Sequence, residues 1–268
     1  MTFLVIGGSG KTGGRVVTRL TERGLPVRAV SRSTEIPFDW NDRATWPAAL
    51  RGVTAAHVAY QPDITFPGAA EAIRELTRLA ADSGVRRLVL VSGRGEEQAA
   101  VSERTVQRSG LEWTILRCAF FNQNFSEGAF ADMIAGGELA LPADEVAEPF
   151  VDAEDIADVA VAALTEDRHV GELYELTGPR LLTFTDVTAE IAAVTGRPIR
   201  YRPMEPEDYV DMLQQYGMPP EEAKLLTDLL TQVLDGRNES LADGVQRALG
   251  RPPRDFSDYV EATWKPSR

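Results

Sequence analysis

The chain has 268 residues, 43% of them hydrophobic, which is enough for one large core and a smaller lobe. Its formal net charge of −13 excludes a nucleic-acid partner over most of the surface, although a local basic spot can still hold a phosphate. One cysteine, Cys118, and two histidines, His57 and His169, leave little from which to build a disulfide framework or a metal centre, and no apolar run approaches the ~18 residues of a membrane helix.

The opening "MTFLVIGG" lacks the basic start of a secretory signal, so the expectation is a soluble, cytoplasmic protein. Phe3 to Ile6 is an apolar run ending in glycines and predicts a buried parallel strand. Val16, Val17 and Leu20 stand at helical spacing, and Gly24 occupies the place of a helix-ending glycine. "VRAV" (27–30) and "AAHVAY" (55–60) predict two more strands. Ile73, Leu76 and Leu79 mark a helix face closed by Gly84. "RLVLVS" (87–92) and "WTILR" (113–117) read as buried strands, with the helix "SERTVQRSG" between them. This alternation predicts an α/β fold, a doubly wound parallel sheet of the Rossmann type.

The second half is less regular. "DAEDIADVAVAAL" predicts a helix with Asp152 and Asp155 as capping candidates, and "ELYELTG" a strand. Thr183 and Asp186 form a capping-box pattern at the start of a helix that Gly196 and Pro198 stop. Glu205 to Leu249 reads as mostly helical and amphipathic. We expect residues 1–117 and 146–177 to form the dinucleotide-binding core, with 118–145 and 178–268 forming a smaller, mostly helical substrate lobe or lid.

"GGSGKTGG", Gly7 to Gly14, admits two readings. A triphosphate-binding loop needs Gly-x-x-x-x-Gly-Lys-Ser/Thr, and counting back from Gly10 places Val5 where its first glycine belongs. That reading fails. Gly7-x-x-Gly10-x-x-Gly13, with a strand before and a helix after, fits a dinucleotide loop whose glycines let a pyrophosphate approach the helix N-terminus. An acidic residue about 20 residues on would hold the ribose hydroxyls of NAD. Here the second strand ends in Ser31-Arg32-Ser33, and an arginine fork with serine donors suits a 2′-phosphate, so the expected cofactor is NADP(H). Lys11 can add positive charge nearby.

"LVIGGSGKTGGRVV", "VRAVSRS", "VRRLVLVSGRGE", "SGLEWTILR" and "PFVDAEDIADVAVAAL" resemble the NmrA-like atypical short-chain dehydrogenase/reductases, and the likeness runs on through "YELTGPRLLTFTDVTAEIAAVTGRPIRY" to "ALGRPPRDFSDYV". "FDWNDRATWPAAL" and "DGRNESLADGVQRALGRPPRDF" are similar to a bacterial subgroup near the ergot-alkaloid reductases of the agroclavine dehydrogenase type. The resemblance implies that Gly7, Gly10, Lys11, Thr12 and Gly13 surround the pyrophosphate and that Arg32 and Ser33 meet the 2′-phosphate. It places Asp39, ahead of an expected third strand, near the adenine, and Ala59-Tyr60-Gln61, ending a fourth, beside the cofactor. Ser92 and Gly93, ending a fifth, would approach the nicotinamide ribose. "RCAFFNQNF" matches a pattern read as Arg-Pro-x-x-Phe-Met-x-Asn, which implies a substrate pocket at Phe120, Phe121, Asn122 and Asn124. Cys118 and Asn122 replace the pattern's proline and methionine, predicting a more polar pocket floor.

The Tyr-x-x-x-Lys pair of ordinary short-chain reductases is missing. The chain reads "GEEQAAVSERTVQ" there, and a lysine kept by many atypical members is Ala99. A carbonyl reductase needs a proton donor as hydride arrives. Reduction of an imine or iminium, a quinone or an enone makes less demand, so the expected activity is an NADPH-dependent reductase of such a small molecule, in secondary metabolism. Glu96, Glu97 or Glu103 could wall a cationic substrate. Tyr60 and Asn124 are the catalytic candidates, with Tyr60 equally readable as an aromatic plug. A redox sensor that binds NADP(H) without turnover, or an epimerase or cyclase, remains open, as does a monomer against a small homo-oligomer. The four tryptophans and Cys118 read as packing residues, His57 as a core histidine and His169 as exposed.

Overall fold

The computed structural model describes residues 1–265, so 266–268 of the expected substrate lobe lie outside the described residues. In chain order the elements are β1 (Thr2–Ile6), α1 (Lys11–Glu22), β2 (Val27–Val30), α2 (Trp46–Leu50), β3 (Val53–Val58), α3 (Ala69–Asp82), β4 (Arg87–Gly93), α4 (Glu97–Gln107), β5 (Glu112–Cys118), α5 (Ala129–Gly136), β6 (Glu138–Leu141) and β7 (Ala147–Glu148). There follow α6 (Ala153–Thr165), β8 (Glu172–Leu176), β9 (Leu182–Thr183), α7 (Phe184–Thr195), β10 (Arg200–Pro203), α8 (Pro206–Gln215), α9 (Pro220–Val233), α10 (Gly244–Leu249) and α11 (Phe256–Trp264). They form two compact units, the first made of Met1–Cys118, Ala153–Leu176 and Asp243–Pro252, the second of Ala119–Asp152, Thr177–Ala242 and the chain from Pro253 onward.

The first unit carries a six-stranded sheet in the order β2-β1-β3-β4-β5-β8, parallel throughout. Leu4, Val5, Val89, Leu90, Ile115 and Leu116 are buried on strands covered from both faces, which is why these segments read as apolar runs rather than alternating ones. α1 and α6 pack against each other. Arg15 and Arg19 of α1 reach Glu154 at 2.6 and 2.5 Å, and Arg19 reaches Asp158 at 2.6 Å. α6 is buried on nearly every side, and its alanines allow close approach to the sheet. Its C-terminal end is closed by the buried Arg87 guanidinium, which donates to the carbonyls of Ala163, Leu164 and Glu166 and pairs with Glu112 at 2.7 Å. The chain leaves β1 for β2 on one side and returns to β3 on the other, and the carboxyl ends around such a switch point are where open α/β sheets bind ligands.

Several segments fold differently from what the sequence predicts. No strand separates β2 from β3, so "AAHV" lies on the third strand and Ser92 is on the fourth. The intervening residues instead build an aromatic group. Phe38 stacks on Trp46 at 5.7 Å, and the fully buried Trp46 donates its indole N–H to the Asp39 carbonyl at 2.7 Å. His169 is buried rather than exposed, because the turn after α6 tucks its ring under Tyr174, with Nδ1 2.9 Å from the phenol oxygen. The unit boundaries also differ. Residues 243–252 join the sheet unit: Gly244 lies so near Glu175 that a Cβ would stand 2.1 Å from its carbonyl oxygen, and Arg247 and Arg251 bond Glu172 and Asp155, each at 2.7 Å. Residues 146–152 belong to the second unit, where Val151 donates to Phe120 and accepts from Asn122, both at 2.9 Å.

The second unit has its own core, in which Phe125, Phe150, Phe184 and Phe256 meet edge-on, with Phe150 and Phe184 at 5.4 Å. β10 pairs with β6 in parallel and β7 with β9 antiparallel, short pairings that no periodicity announced. The Thr183/Asp186 capping box forms, with Gly196 left-handed at the other end of α7. No helix among the described residues is long and apolar enough to cross a membrane.

Candidate functional site

The β1–α1 turn is a backbone cradle. Gly7 is left-handed at φ 74°, its N–H donates to the Val30 carbonyl at 3.1 Å, and its carbonyl accepts from Gly10 at 2.8 Å. A Cβ on Gly13 would stand 2.2 Å from the Gly7 oxygen, and one on Gly8 would stand 2.8 Å from the Ala29 Cβ. Gly10 caps α1 without a side chain, and the first helical turn carries no acid. The positive end of the helix dipole is therefore not offset by a local carboxylate, as anion binding requires. Thr12 is buried in this turn and Lys11 is half-buried. The end of β3 lies alongside: the Ala59 carbonyl is 3.9 Å, and the Gln61 amide nitrogen 3.6 Å, from where side chains on Gly7 and Gly10 would begin. Loop, Ala59 and Gln61 thus lie together, and the cradle fits the pyrophosphate of a dinucleotide.

Beyond β2 the chain is tied by Thr34, whose hydroxyl accepts from the Ser31 N–H and lies near the Ser31 carbonyl, each at 2.9 Å. This turn presents Arg32 and Ser33 to solvent. Arg32 makes no hydrogen bond or ion pair with the described residues, which leaves its guanidinium open to a phosphate. Asp39 spends one carboxylate oxygen on the Asn41 N–H at 2.9 Å. Tyr60 is half-buried with its ring 4.7 Å from Trp40, and burial raises its phenol above the ordinary value.

At the ends of β4 and β5 the charges are committed. Buried Ser92 donates its hydroxyl to Glu103 at 2.7 Å. Arg117 holds the same Glu103, and Arg117 and Arg94 both reach Glu175 at 3.3 Å. Glu103 is accordingly not an open anionic wall, and Glu97 points to solvent. Glu96 turns inward over Gly93. Ala99 is buried, with no cation in the lysine's place.

In the second unit Phe120 sits in the phenylalanine group, 6.1 Å from Phe130, while Phe121 and Asn124 are half-buried. Asn122 is fully buried, its side-chain amide has no hydrogen-bond partner among the described residues, and its backbone N–H donates to the Val151 carbonyl. Cys118 is buried as well, and burial raises its thiol well above the ordinary value. The sequence reading missed Gly8, whose need arises from Ala29, and the Arg117–Glu103 pair, whose members are separated by a helix and a turn. Neither has a local signal.

A parallel α/β sheet with a glycine cradle at its switch point defines a dinucleotide-binding protein. Sequence models agree: one described as NAD(P)H-binding matches residues 7–167, and one for the NmrA-like family matches residues 97–259. The chain belongs to the NmrA-like family, among NAD(P)H-dependent oxidoreductases, which bears out the resemblance carried by its motifs. It is 31% identical to an NAD(P)H azoreductase of Xenophilus azovorans, over 97% of each chain. It is 32% identical to the agroclavine dehydrogenase of Claviceps fusiformis, over 97% of this chain and 96% of that one. An NADPH-dependent quinone oxidoreductase from Escherichia coli, solved with NADPH, superposes with a TM-score of 0.81 at 21% identity, covering 97% of this chain and 99% of that one.

Proposed function

We propose that this protein reduces a small conjugated acceptor, an imine or iminium, a quinone or an enone, with NADPH. The observation that carries the reading is the acid-free cradle of Gly7, Gly10 and Gly13, with an Arg32 after β2 that has no partner among the described residues. In this reading Lys11 and Thr12 join those glycines around the pyrophosphate, Arg32 and Ser33 take the 2′-phosphate, and Asp39 lies near the adenine. NADPH, when bound, supplies hydride. The chain supplies orientation and local electrostatics. The missing Tyr/Lys pair disfavours a simple ketone, and the names of two similar proteins point toward azo and quinone acceptors.

The test is a titration with NADPH, NADP⁺, NADH and NAD⁺ read by nicotinamide fluorescence, followed by NADPH oxidation with menadione, cyclohexenone and methylpyrroline as quinone, enone and imine probes. Preference for the phosphorylated cofactors and turnover of one probe class are expected. Tight binding without oxidation of any probe would turn the reading toward a redox sensor.

A further inference from the structure

Glu96 stands at the N-cap of α4, yet its side chain makes no capping bond. It folds back over the last residue of β4 instead. A Cβ on Gly93 would lie 1.9 Å from Glu96 Oε2 and 2.4 Å from Oε1, so the carboxyl fills the space that any side chain at 93 would take. Oε2 is buried and has no hydrogen-bond partner among the described residues. A buried carboxylate without a donor is costly, whereas the neutral acid is far less so.

The groups around it oppose ionisation. Asp63 from the β3–α3 turn and Glu103 from α4 act on it through their charges, and it acts in turn on Cys118 at the end of β5. Nearby cations are engaged elsewhere, Arg117 with Glu103 and Glu175, and Arg94 with Glu175. Burial first, then these two carboxylates, push the Glu96 carboxyl up to about 8. The positive end of α4 acts in the opposite sense and is outweighed. A group so placed holds its proton at neutral pH and can release it, which is what a general acid requires. It also lies at the carboxyl end of the parallel strands, where ligands of such sheets bind.

We propose that the Glu96 carboxyl, folded over Gly93 at the end of β4, is the proton donor of this site, in the absence of the Tyr/Lys pair. The assignment rests on the reductase reading above. As hydride from NADPH adds to one end of a conjugated acceptor, the π electron pair moves to the far heteroatom. That atom takes the Glu96 proton as the O–H bond breaks. The acceptor gains two electrons, NADPH becomes NADP⁺, and the Glu96 carboxylate recovers a proton from water.

The first readout needs no turnover: carbon NMR titration of glutamate carboxyls in the cofactor-free protein, with the Glu96 signal assigned by its loss in Glu96→Gln. A signal titrating near pH 8 is expected. The second uses whichever of menadione, cyclohexenone and methylpyrroline the wild type reduces fastest. Wild-type kcat should fall as pH rises through about 8. Glu96→Gln, an isostere of the neutral acid, should lower kcat by roughly 10²–10⁴-fold at pH 7, leave KM nearly unchanged and lose that pH break. A Glu96 signal in the ordinary carboxylate range overturns the proposal, as does a Glu96→Gln enzyme with wild-type rate and pH profile. A wild type that reduces none of the probes overturns the reductase reading, and the proton-donor role falls with it. Turnover at the wild-type rate in Glu96→Gln removes the proton-donor role alone.

Discussion

Arg117 grips Glu103 through two hydrogen bonds, Nε to Oε1 at 2.9 Å and Nη2 to Oε2 at 2.6 Å. Glu103 is only 2% exposed, so its charge is tolerable because this fork, with the Ser92 hydroxyl, satisfies it. Removing one partner of a buried pair costs more than the pair itself contributes. Arg117→Met should therefore destabilise the protein by about 3–5 kcal/mol in urea unfolding. Adding Glu103→Met should recover much of that loss, and a double variant no better than the single one would show that the pair is not coupled.

Two neighbouring glycines should respond in opposite ways. Gly13→Ala forces a Cβ to within 2.2 Å of the Gly7 oxygen, so the cradle must open and NADPH binding should be lost. A Cβ on Gly14 would meet the Gly8 oxygen at an ordinary 3.5 Å. Gly14→Ala should keep cofactor binding and stabilise α1 by about 0.5–1 kcal/mol, as alanine does in a helix interior. Paired fluorescence titrations and thermal melts check both.

Arg32 has no partner among the described residues, so Arg32→Ala should leave the melting curve unchanged. Its effect belongs to the cofactor. Loss of a charged hydrogen-bonding fork costs about 1.5–3 kcal/mol, which weakens NADPH by roughly 10–150-fold while NADH is little affected. Equal weakening of both cofactors would place the 2′-phosphate elsewhere.

His57 is fully buried, neither ring nitrogen has a partner among the described residues, and burial lowers its imidazole to about 4. Between pH 6.5 and 4 the unfolded chain takes up a proton that the native protein refuses, so stability is lost as pH falls through that window. The loss by pH 4.5 is about 2–3 kcal/mol. His57→Leu should remove it: relative to the variant, the wild type should lose that much stability between pH 7.5 and 4.5 in urea unfolding.

Much of the cofactor site could be read locally. The cradle lies within a few consecutive residues, framed by an apolar strand and a periodic helix, because glycine spacing and backbone geometry are short-range properties. The α7 capping box was visible for the same reason. Boundaries that depend on distant contacts were not. Gly244 and Arg251 join the sheet unit through Glu175 and Asp155, residues that no helical period connects to them.

The chemistry divides along the same line. By itself the sequence determined a parallel α/β fold of the NmrA-like family, with a glycine loop at Gly7–Gly13 suited to a dinucleotide and no Tyr/Lys pair. Only the tertiary structure decided that Glu103 is neutralised by Arg117, that Asn122 and His169 are buried, and that Glu96 lies unpartnered over Gly93. Residue type sets what a side chain can do. Its charge state and availability depend on desolvation and on the partners within about 4 Å, and folding brings those partners together from remote parts of the chain.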